Sequence, residues 1–295
     1  MKQFTYSALI VLSGLFGDWI FSLISRTIAA GYFVFFPARA AMGARFYRAL
    51  FPEQSSLYHI WCTWRQYQNF TTVFTDRIRL RNRTDIGFSS RGWEAFETEL
   101  DKGKGAIILM SHMGNWDLAA SLLPRLGRNF KLLLYMGARA KEEIESVQKS
   151  DLQGQGIRII AVEPSGGSPL YVVEGIHFLR SGGVVSLTGD KLWSPDQRFI
   201  PVPFLGHTAF LPEFPHVFAL VSGAPLFVFF TFRTGPDQYR FELSAPLRVT
   251  CSSRSGRSQA IRESALAYSR MLEDTLRRHP HEWYHFEPFL HTGPR

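Results

Sequence analysis

Hydrophobic and polar positions along residues 92–187 predict short strands that alternate with helices. Mostly apolar runs predict strands buried on both faces at Ala106–Met110, Lys131–Met136, Ile157–Val162 and Gly183–Leu187. Helical periodicity and capping signals predict the intervening helices at Trp93–Leu100, Asp117–Leu126, Lys141–Leu152 and from Ser168–Pro169 to Gly182. Because strands and helices alternate with short loops, we expect an α/β fold with a mostly parallel central sheet flanked by helices.

A second uncharged run, from Phe214 to Phe232, is long enough to resemble a membrane span, but Pro215, Gly223 and Pro225 interrupt it. We interpret this run as buried core that consists of a short helix, a turn and a strand. The bounds predicted for this half of the chain are a helix at Glu213–Ser222, strands at Leu226–Phe232 and Tyr239–Leu243 that can form a hairpin, and a long amphipathic helix at Ser258–His279.

The N-terminal segment raises the question of membrane attachment. Residues 4–37 carry only two charged side chains, Asp18 and Arg26, and a helix would place these about 80° apart, on one polar side. A cleaved signal peptide is the alternative, but no small-residue cleavage site follows, and the apolar pattern continues past residue 30. We therefore expect a membrane-anchor or interfacial helix over residues 1–40 and a single α/β domain over residues 41–295. Arginines suited to anionic headgroups follow the apolar run, namely Arg39, Arg45 and Arg48.

Composition supports contact with a membrane surface. Lys and Arg total 33 against 25 Asp and Glu, which gives a formal charge of +8, and aromatic residues make up 15% of the 295 residues. A basic, Phe-rich chain without a DNA- or RNA-binding motif favours an anionic apolar phase over nucleic acid as the partner. Cys62 and Cys251 are too few for a disulfide framework or a cysteine-based zinc site, which indicates a reducing compartment.

The segment Ser111–Asp117 contains the first candidate for catalytic chemistry, a His-x4-Asp pair formed by His112 and Asp117. The spacing alone is uninformative, because chance predicts roughly one such pair in a chain of this composition. The position is more informative: His112 follows a buried strand, and the carboxyl ends of parallel strands are where active sites form. A histidine there can act as a general base, with the acid holding its tautomer. Gly114 would permit the tight turn. A loop histidine beside a helix-capping aspartate is the alternative.

A second histidine motif lies near the C-terminus and predicts different chemistry. His281, Glu282 and His285 spell H-E-x-x-H, with His291 six residues further on, which is the ligand pattern of zinc proteases when it lies on a helix. Pro280 and Pro288 leave little room for that helix. A zinc hydrolase therefore stays open as a competing function, and an aromatic tail packed on the core or the membrane is the other interpretation.

The sequence Ser-His-Met-Gly-Asn-Trp-Asp at 111–117 resembles the motif of the bacterial lipid A late acyltransferases, within the lysophospholipid acyltransferase superfamily. Four further segments are similar to that family: Arg65–Asp76, which resembles the helix before the motif, Gly183–Asp190, Phe199–Gly206 and the aromatic close at His281–Leu290. The resemblance implies a glycerol-3-phosphate acyltransferase-like fold with an N-terminal apolar membrane-anchor helix. At Thr188–Lys191 the chain departs from the P-D-x-D of the lauroyl- and myristoyl-transferring members, so ornithine-type and polyene lipids stay open as acceptors.

The resemblance also implies a reaction. An acyl chain would pass from an acyl carrier protein thioester, or from acyl-CoA, to a hydroxyl or amine of a lipid A precursor or a related glycolipid or aminolipid. His112 would deprotonate the acceptor and Asp117 would orient His112, with backbone N–H groups near Gly114 binding the oxyanion. Residues expected to bind substrate are Gly114, Asn115, Asp190 and Arg198, with His207 as a further basic group. We expect no cofactor, no metal and no nucleic-acid partner, and a location at the cytoplasmic face of the bacterial inner membrane. A non-catalytic lipid-binding protein is the third functional class.

Overall fold

The computed structural model describes residues 18–82, 86–116, 118, 131–137, 157–162, 169–235 and 237–291. The helices predicted at Asp117–Leu126 and Lys141–Leu152 fall outside the described residues, apart from residue 118. Helices within the described ranges are α1 (Asp18–Phe35), α2 (Pro37–Leu50), α3 (Ser56–Asn82), α4 (Trp93–Leu100), α5 (Pro169–Arg180), α6 (Phe214–Ser222) and α7 (Arg257–Arg278). Strands are β1 (Gly87–Arg91), β2 (Ala106–Gly114), β3 (Leu132–Gly137), β4 (Arg158–Val162), β5 (Val184–Thr188), β6 (Phe199–Phe204), β7 (His207–Pro212), β8 (Leu226–Gly235) and β9 (Gln238–Leu243).

The described strands form a seven-stranded sheet in the order β1-β9-β8-β2-β5-β3-β4, beside a separate β6–β7 ribbon. All neighbouring pairs in the sheet are parallel except β8–β9, which is an antiparallel hairpin. The predicted α/β class, the mostly parallel sheet and the β8–β9 hairpin are therefore confirmed. Two elements were not predicted: β1, a short edge strand whose residues GFSSR lack an apolar run, and the β6–β7 ribbon, whose strand β6 contains two prolines.

Apolar side chains cover both faces of the sheet, as the uninterrupted apolar runs predicted. In β2, Ile107 and Leu109 lie in the core on one face, while Ala106 and Ile108 lie in the core on the other. Helices α6 and α7 and the C-terminal residues contribute to the first core, and α4 packs on the second. Because β2 is buried on both faces, its carboxyl end is held at a fixed place in the sheet.

The N-terminal apolar segment is a bent pair of helices, where the sequence predicted one. Helices α1 and α2 meet at 91°, and Pro37, at the first position of α2, lies directly after the break. No single described helix is long and apolar enough to cross a bilayer, whereas the bent pair reaches that length and composition when taken together. Helix α1 packs on α3, yet Trp19 and Phe35 expose 62% and 80% of their surface. An unusually apolar exposed surface therefore lies at this end of the described chain.

Candidate active site

The centre of the site is the end of β2, which continues past its predicted limit at Met110 to Gly114. Pairing with β5 stops at Met110, and the register with β8 shifts between Met110 and Gly114, so the residues between them form a bulge. Gly114 closes the bulge with φ +72°, and a Cβ atom at this position would overlap the carbonyl oxygen of Thr231. The bulge turns the side chain of His112 out of the regular pleat at the carboxyl edge of the sheet.

Asp190 is the partner of His112. It lies two residues beyond the end of β5, the strand beside β2, and Gly189 N–H donates to the Met110 carbonyl oxygen at 2.7 Å. Asp190 Oδ1 lies 2.9 Å from His112 Nδ1, and Asp190 Oδ2 accepts the backbone N–H of His112 at 2.7 Å. One carboxylate therefore holds both the ring and the backbone of the histidine.

A third donor reaches the same carboxylate from the last residues of the described chain. Trp283 Nε1 donates to Asp190 Oδ2 at 2.8 Å, and the Asp190 side chain has no solvent exposure. Burial opposes ionisation, but the charge of His112 and its hydrogen bonds outweigh that effect and lower the pKa of Asp190 to about 2. Asp190 is therefore a buried carboxylate that stays ionised at neutral pH.

The other nitrogen of His112 is available for chemistry. Because a carboxylate only accepts, neutral His112 carries its proton on Nδ1, which leaves a lone pair on Nε2. Nε2 makes no hydrogen bond to any described residue, and a quarter of the side chain is exposed. A histidine with one nitrogen fixed by a buried carboxylate and the other open can take a proton from a bound hydroxyl or amine.

A second histidine lies beside the first, and no carboxylate of the described residues is hydrogen-bonded to it. The ring centroids of His112 and His285 are 5.8 Å apart, and the His285 ring stacks on Trp283. His285 Nδ1 contacts the carbonyl oxygen of Glu287 at 3.3 Å. Burial is the main cause that lowers the pKa of His285 to about 4, so its ring is neutral at neutral pH.

The sequence matches the family model of the bacterial lipid A biosynthesis acyltransferases over residues 4–292. The chain belongs to this family. No curated protein matches it significantly. Membership means that the protein is an acyltransferase in lipid A biosynthesis, which implies an acyl donor and a lipid acceptor. The resemblance stated from the motif at 111–117 is thereby confirmed.

The other residues predicted for the acyltransferase site fall in different places. Asp117 lies outside the described residues. The N–H of Gly114, expected to face the oxyanion, donates instead to the Glu282 carbonyl oxygen at 2.7 Å. Asn115 lies directly after β2, where its Oδ1 accepts the N–H of Leu118, while its buried Nδ2 has no hydrogen-bond partner among the described residues. Arg198 is exposed directly before β6, and no hydrogen bond or ion pair within the described residues joins it to His112.

The helix that the H-E-x-x-H motif requires does not form. Residues 279–291 contain no helix, and the ring of His281 packs on Trp61, whereas that of His285 packs beside His112. Glu282 contacts His279 and does not lie between two ligands. Within the described chain, no group of three histidine, cysteine or acidic side chains is placed to hold a metal ion. The helical interpretation of this segment is therefore wrong.

Two cavities flank the C-terminal residues of the acyltransferase, and His285 and Phe289 line both. One cavity lies beside Asp190 and Trp193, while the other lies between α2, α3 and the C-terminal residues, with Arg39 and Arg45 at its wall.

Sequence reasoning expected Asp190 to bind substrate, so it predicted neither the Asp190–His112 pair nor the contribution of Trp283. The first had a signal, because both residues follow predicted parallel strands, and the ends of neighbouring strands meet at one edge. The second had none, since Trp283 is 171 positions from His112 and reaches the site only because the C-terminal residues cross the end of β2. Met113 pairs there with Trp283 in an antiparallel bridge.

Proposed function

We propose that the protein transfers a fatty acyl chain from a carrier-protein or CoA thioester to a hydroxyl or amine of a lipid A precursor, with His112 as the general base. A single observation carries the proposal: a buried, ionised Asp190 fixes Nδ1 of His112 and leaves Nε2 open at the carboxyl edge of the sheet. The carboxylate sets the tautomer that a base requires and stabilises the imidazolium that forms.

The reaction proceeds in two proton movements around one acyl transfer. His112 Nε2 takes the proton of the acceptor hydroxyl as its oxygen attacks the thioester carbonyl carbon. The tetrahedral intermediate collapses, the C–S bond breaks, and the leaving sulfur takes the proton back from His112 to become a thiol. An ester and a free carrier thiol are the products, so the atoms and charges balance without a redox partner.

Direct attack by the acceptor is favoured over an acyl-enzyme. The nearest hydroxyl in the sequence, Ser111, is buried, and its oxygen accepts the N–H of Met113. A serine nucleophile would need an exposed hydroxyl bonded to the base, and the described contacts of His112 include none.

Asn115 is the residue that we assign to the developing oxyanion. It lies three residues from His112, is 8% exposed, and its amide N–H has no partner among the residues that the structure describes, which would cost free energy if nothing bound it. A donor held in place before the reaction is what oxyanion stabilisation requires. We therefore assign the oxyanion to Asn115 Nδ2 and not to the Gly114 N–H, which already donates to the Glu282 carbonyl oxygen.

Attachment to the cytoplasmic face of the inner membrane completes the proposal. The bent α1–α2 pair exposes large apolar side chains, and α2 carries three arginines and no acid. Such a surface binds the boundary between acyl chains and anionic headgroups, where a lipid acceptor lies.

The test is a lipid profile of cells that produce the wild-type protein, His112→Ala or His177→Ala. His177 is an exposed histidine on α5 and serves as the matched control. We expect a lipid that gains one acyl chain with the wild type and with His177→Ala but not with His112→Ala, since loss of a general base costs about 10²–10⁴-fold in rate. Mass spectrometry measures the added chain and its acceptor. Equal acylation by His112→Ala and wild type would refute His112 as the base.

A further inference from the structure

We propose that Trp283 is a positioning residue of the acyl transfer, which acts by holding Asp190 in the orientation that His112 requires. The inference rests on the proposed function of His112. It assigns a role to the C-terminal segment, defined here as Pro280–His291, which neither the family match nor the H-E-x-x-H motif assigns.

The indole N–H of Trp283 donates to a carboxylate, although the rest of the side chain lies among apolar rings. The side chain is 1% exposed, and its ring contacts the aromatic rings of Phe46, Phe204 and Phe289. A tryptophan in such surroundings gains its stability from apolar contact, but its buried N–H has to be paired. The partner here is the Asp190 carboxylate at 2.8 Å.

The three hydrogen-bond donors around Asp190 are distributed over its two carboxylate oxygens. Oδ2 accepts the Trp283 indole and the His112 backbone N–H, while Oδ1 faces His112 Nδ1. Two donors on one oxygen prevent rotation of the carboxylate, so the other oxygen stays aligned with the imidazole. The indole also takes part of the carboxylate charge, which moderates how strongly Asp190 stabilises the imidazolium.

The C-terminal segment is held in place by contacts that do not involve the indole. Tyr284 N–H donates to the His112 carbonyl oxygen at 2.8 Å, and Gln66 Nε2 donates to the Trp283 carbonyl oxygen. Tyr47 Oη donates to the Pro280 carbonyl oxygen at 2.8 Å. Removal of the indole N–H should therefore leave the path of the segment unchanged, which makes a clean substitution possible.

The experiment compares Trp283→Phe with Tyr47→Phe in the full-length protein. Trp283→Phe keeps an aromatic ring but deletes the donor to Asp190, while Tyr47→Phe deletes one buried hydrogen bond to the same segment without touching Asp190. We expect Trp283→Phe to lower kcat about tenfold or more, as for loss of a hydrogen bond to a charged group. We also expect the acid limb of its pH–activity profile to move to higher pH, because the unshared carboxylate charge stabilises the imidazolium.

The control should behave differently in both readouts. Tyr47→Phe should keep kcat within about twofold of wild type and leave the acid limb unmoved, although it loses a hydrogen bond of similar length. The groups that face the titrating imidazole from the described elements are Asp190 and His285, with Lys191 and Glu287 near His285. All of these are unchanged in both variants. If Trp283→Phe and Tyr47→Phe lose stability equally and neither moves the acid limb, Trp283 is a packing residue only and the inference fails.

A measurement on the unmutated protein covers the case in which Trp283→Phe does not fold. The indole ¹⁵N–¹H signal of Trp283, assigned by selective labelling, should shift with pH at the same midpoint as the His112 ring signals and should move in Asp190→Asn. An indole signal that is indifferent to the His112 titration would overturn the inference. Because this readout does not depend on turnover, it separates failure of the Trp283 role from failure of the proposed acyl transfer.

Discussion

Two histidines with rings 5.8 Å apart show how much a partner decides the chemistry of a residue. His112 faces a buried carboxylate, whereas His285 faces the carbonyl oxygen of Glu287. Asp190 favours the charged form of an imidazole, whereas a carbonyl oxygen does little to offset the desolvation of the ring. His112 can therefore accept a proton and hold it transiently, while His285 stays neutral and supplies a wall to both cavities.

The lengths of the two sequence motifs that contain these histidines suggest the reverse assignment, because the longer motif belongs to His285 and the shorter to His112. H-E-x-x-H with a third histidine is the longer pattern, and His-x4-Asp the shorter. The longer pattern needs a helix to bring its ligands together, and Pro280 and Pro288 prevent one. The shorter pattern needs only a strand end, which β2 provides. The element that carries a motif was therefore the better guide to its chemistry.

The largest effect on activity is expected when the carboxylate that distinguishes the two histidines is removed. Asp190→Asn keeps the size of the side chain but removes its charge, so it neither holds the tautomer of His112 nor stabilises its imidazolium. We expect kcat to fall about 10³-fold or more, as when the acid of a histidine–carboxylate pair is neutralised. Turnover of an acyl thioester by purified protein measures the change.

The matched control is Glu287→Gln, which neutralises the exposed carboxylate near His285. It should keep kcat within about threefold of wild type, since Glu287 forms its ion pair with Lys191 at the surface. The double variant His112→Ala/Asp190→Asn should be no worse than His112→Ala alone, because the two residues act as a unit. Full activity in Asp190→Asn would assign the role of Asp190 to another acid.

Much of the sheet could be predicted from the sequence because its strands are buried on both faces. Short apolar runs such as Ala106–Leu109 are typical of a buried strand, and the helix Trp93–Leu100 was predicted to its ends. The extension of β2 to Gly114 was not predictable, because the polar residues Ser111 and His112 break the apolar run. A bulge that pairs with the C-terminal residues supports that extension.

Half of the site could be predicted in the same way. His112 was identified from its position after a strand, and Asp117, which lies outside the described residues, was expected to orient it. The structure brings in Asp190 from the neighbouring strand, 78 positions away. Such pairing depends on strand order, and sequence periodicity carries no information on which strands are neighbours.

The pH dependence of the free energy of unfolding distinguishes His285 from Asp190, the partner of His112. His285 has a pKa of about 4 in the folded state against an ordinary 6.5. Its contribution to the free energy of unfolding is therefore full above pH 6.5 and is lost as pH falls toward 4. Asp190 has a pKa of about 2 against an ordinary 3.8, so its contribution is full above pH 3.8 and is lost as pH falls toward 2. The second loss should be about 2 kcal/mol for a fully buried group.

Denaturant unfolding at a series of pH values measures both losses as differences from wild type. His285→Ala should flatten the curve between about pH 6.5 and 4, and Asp190→Asn should flatten it below about pH 4. His216, whose pKa burial also lowers to about 4, contributes with the same sign in every variant and cancels in the difference. If one variant by itself flattened the stability curve in both pH ranges, His285 and Asp190 would titrate together.

A much smaller effect on activity than that of Asp190→Asn is expected for His285→Ala. His285→Ala removes a neutral ring that stacks on Trp283 and lines both cavities, without removing a donor or acceptor of the Asp190–His112 pair. We expect kcat/KM to fall by less than about tenfold, mainly through a higher KM, as for lost substrate binding that is equal in the ground and transition states. The shape of the pH–activity profile between about pH 5 and 8 should match the wild type, because a group with a pKa of about 4 does not titrate there. A loss of kcat as large as that of Asp190→Asn, or a displaced acid limb, would show that His285 shares the proton with His112, and the distinction between the two histidines would then fail.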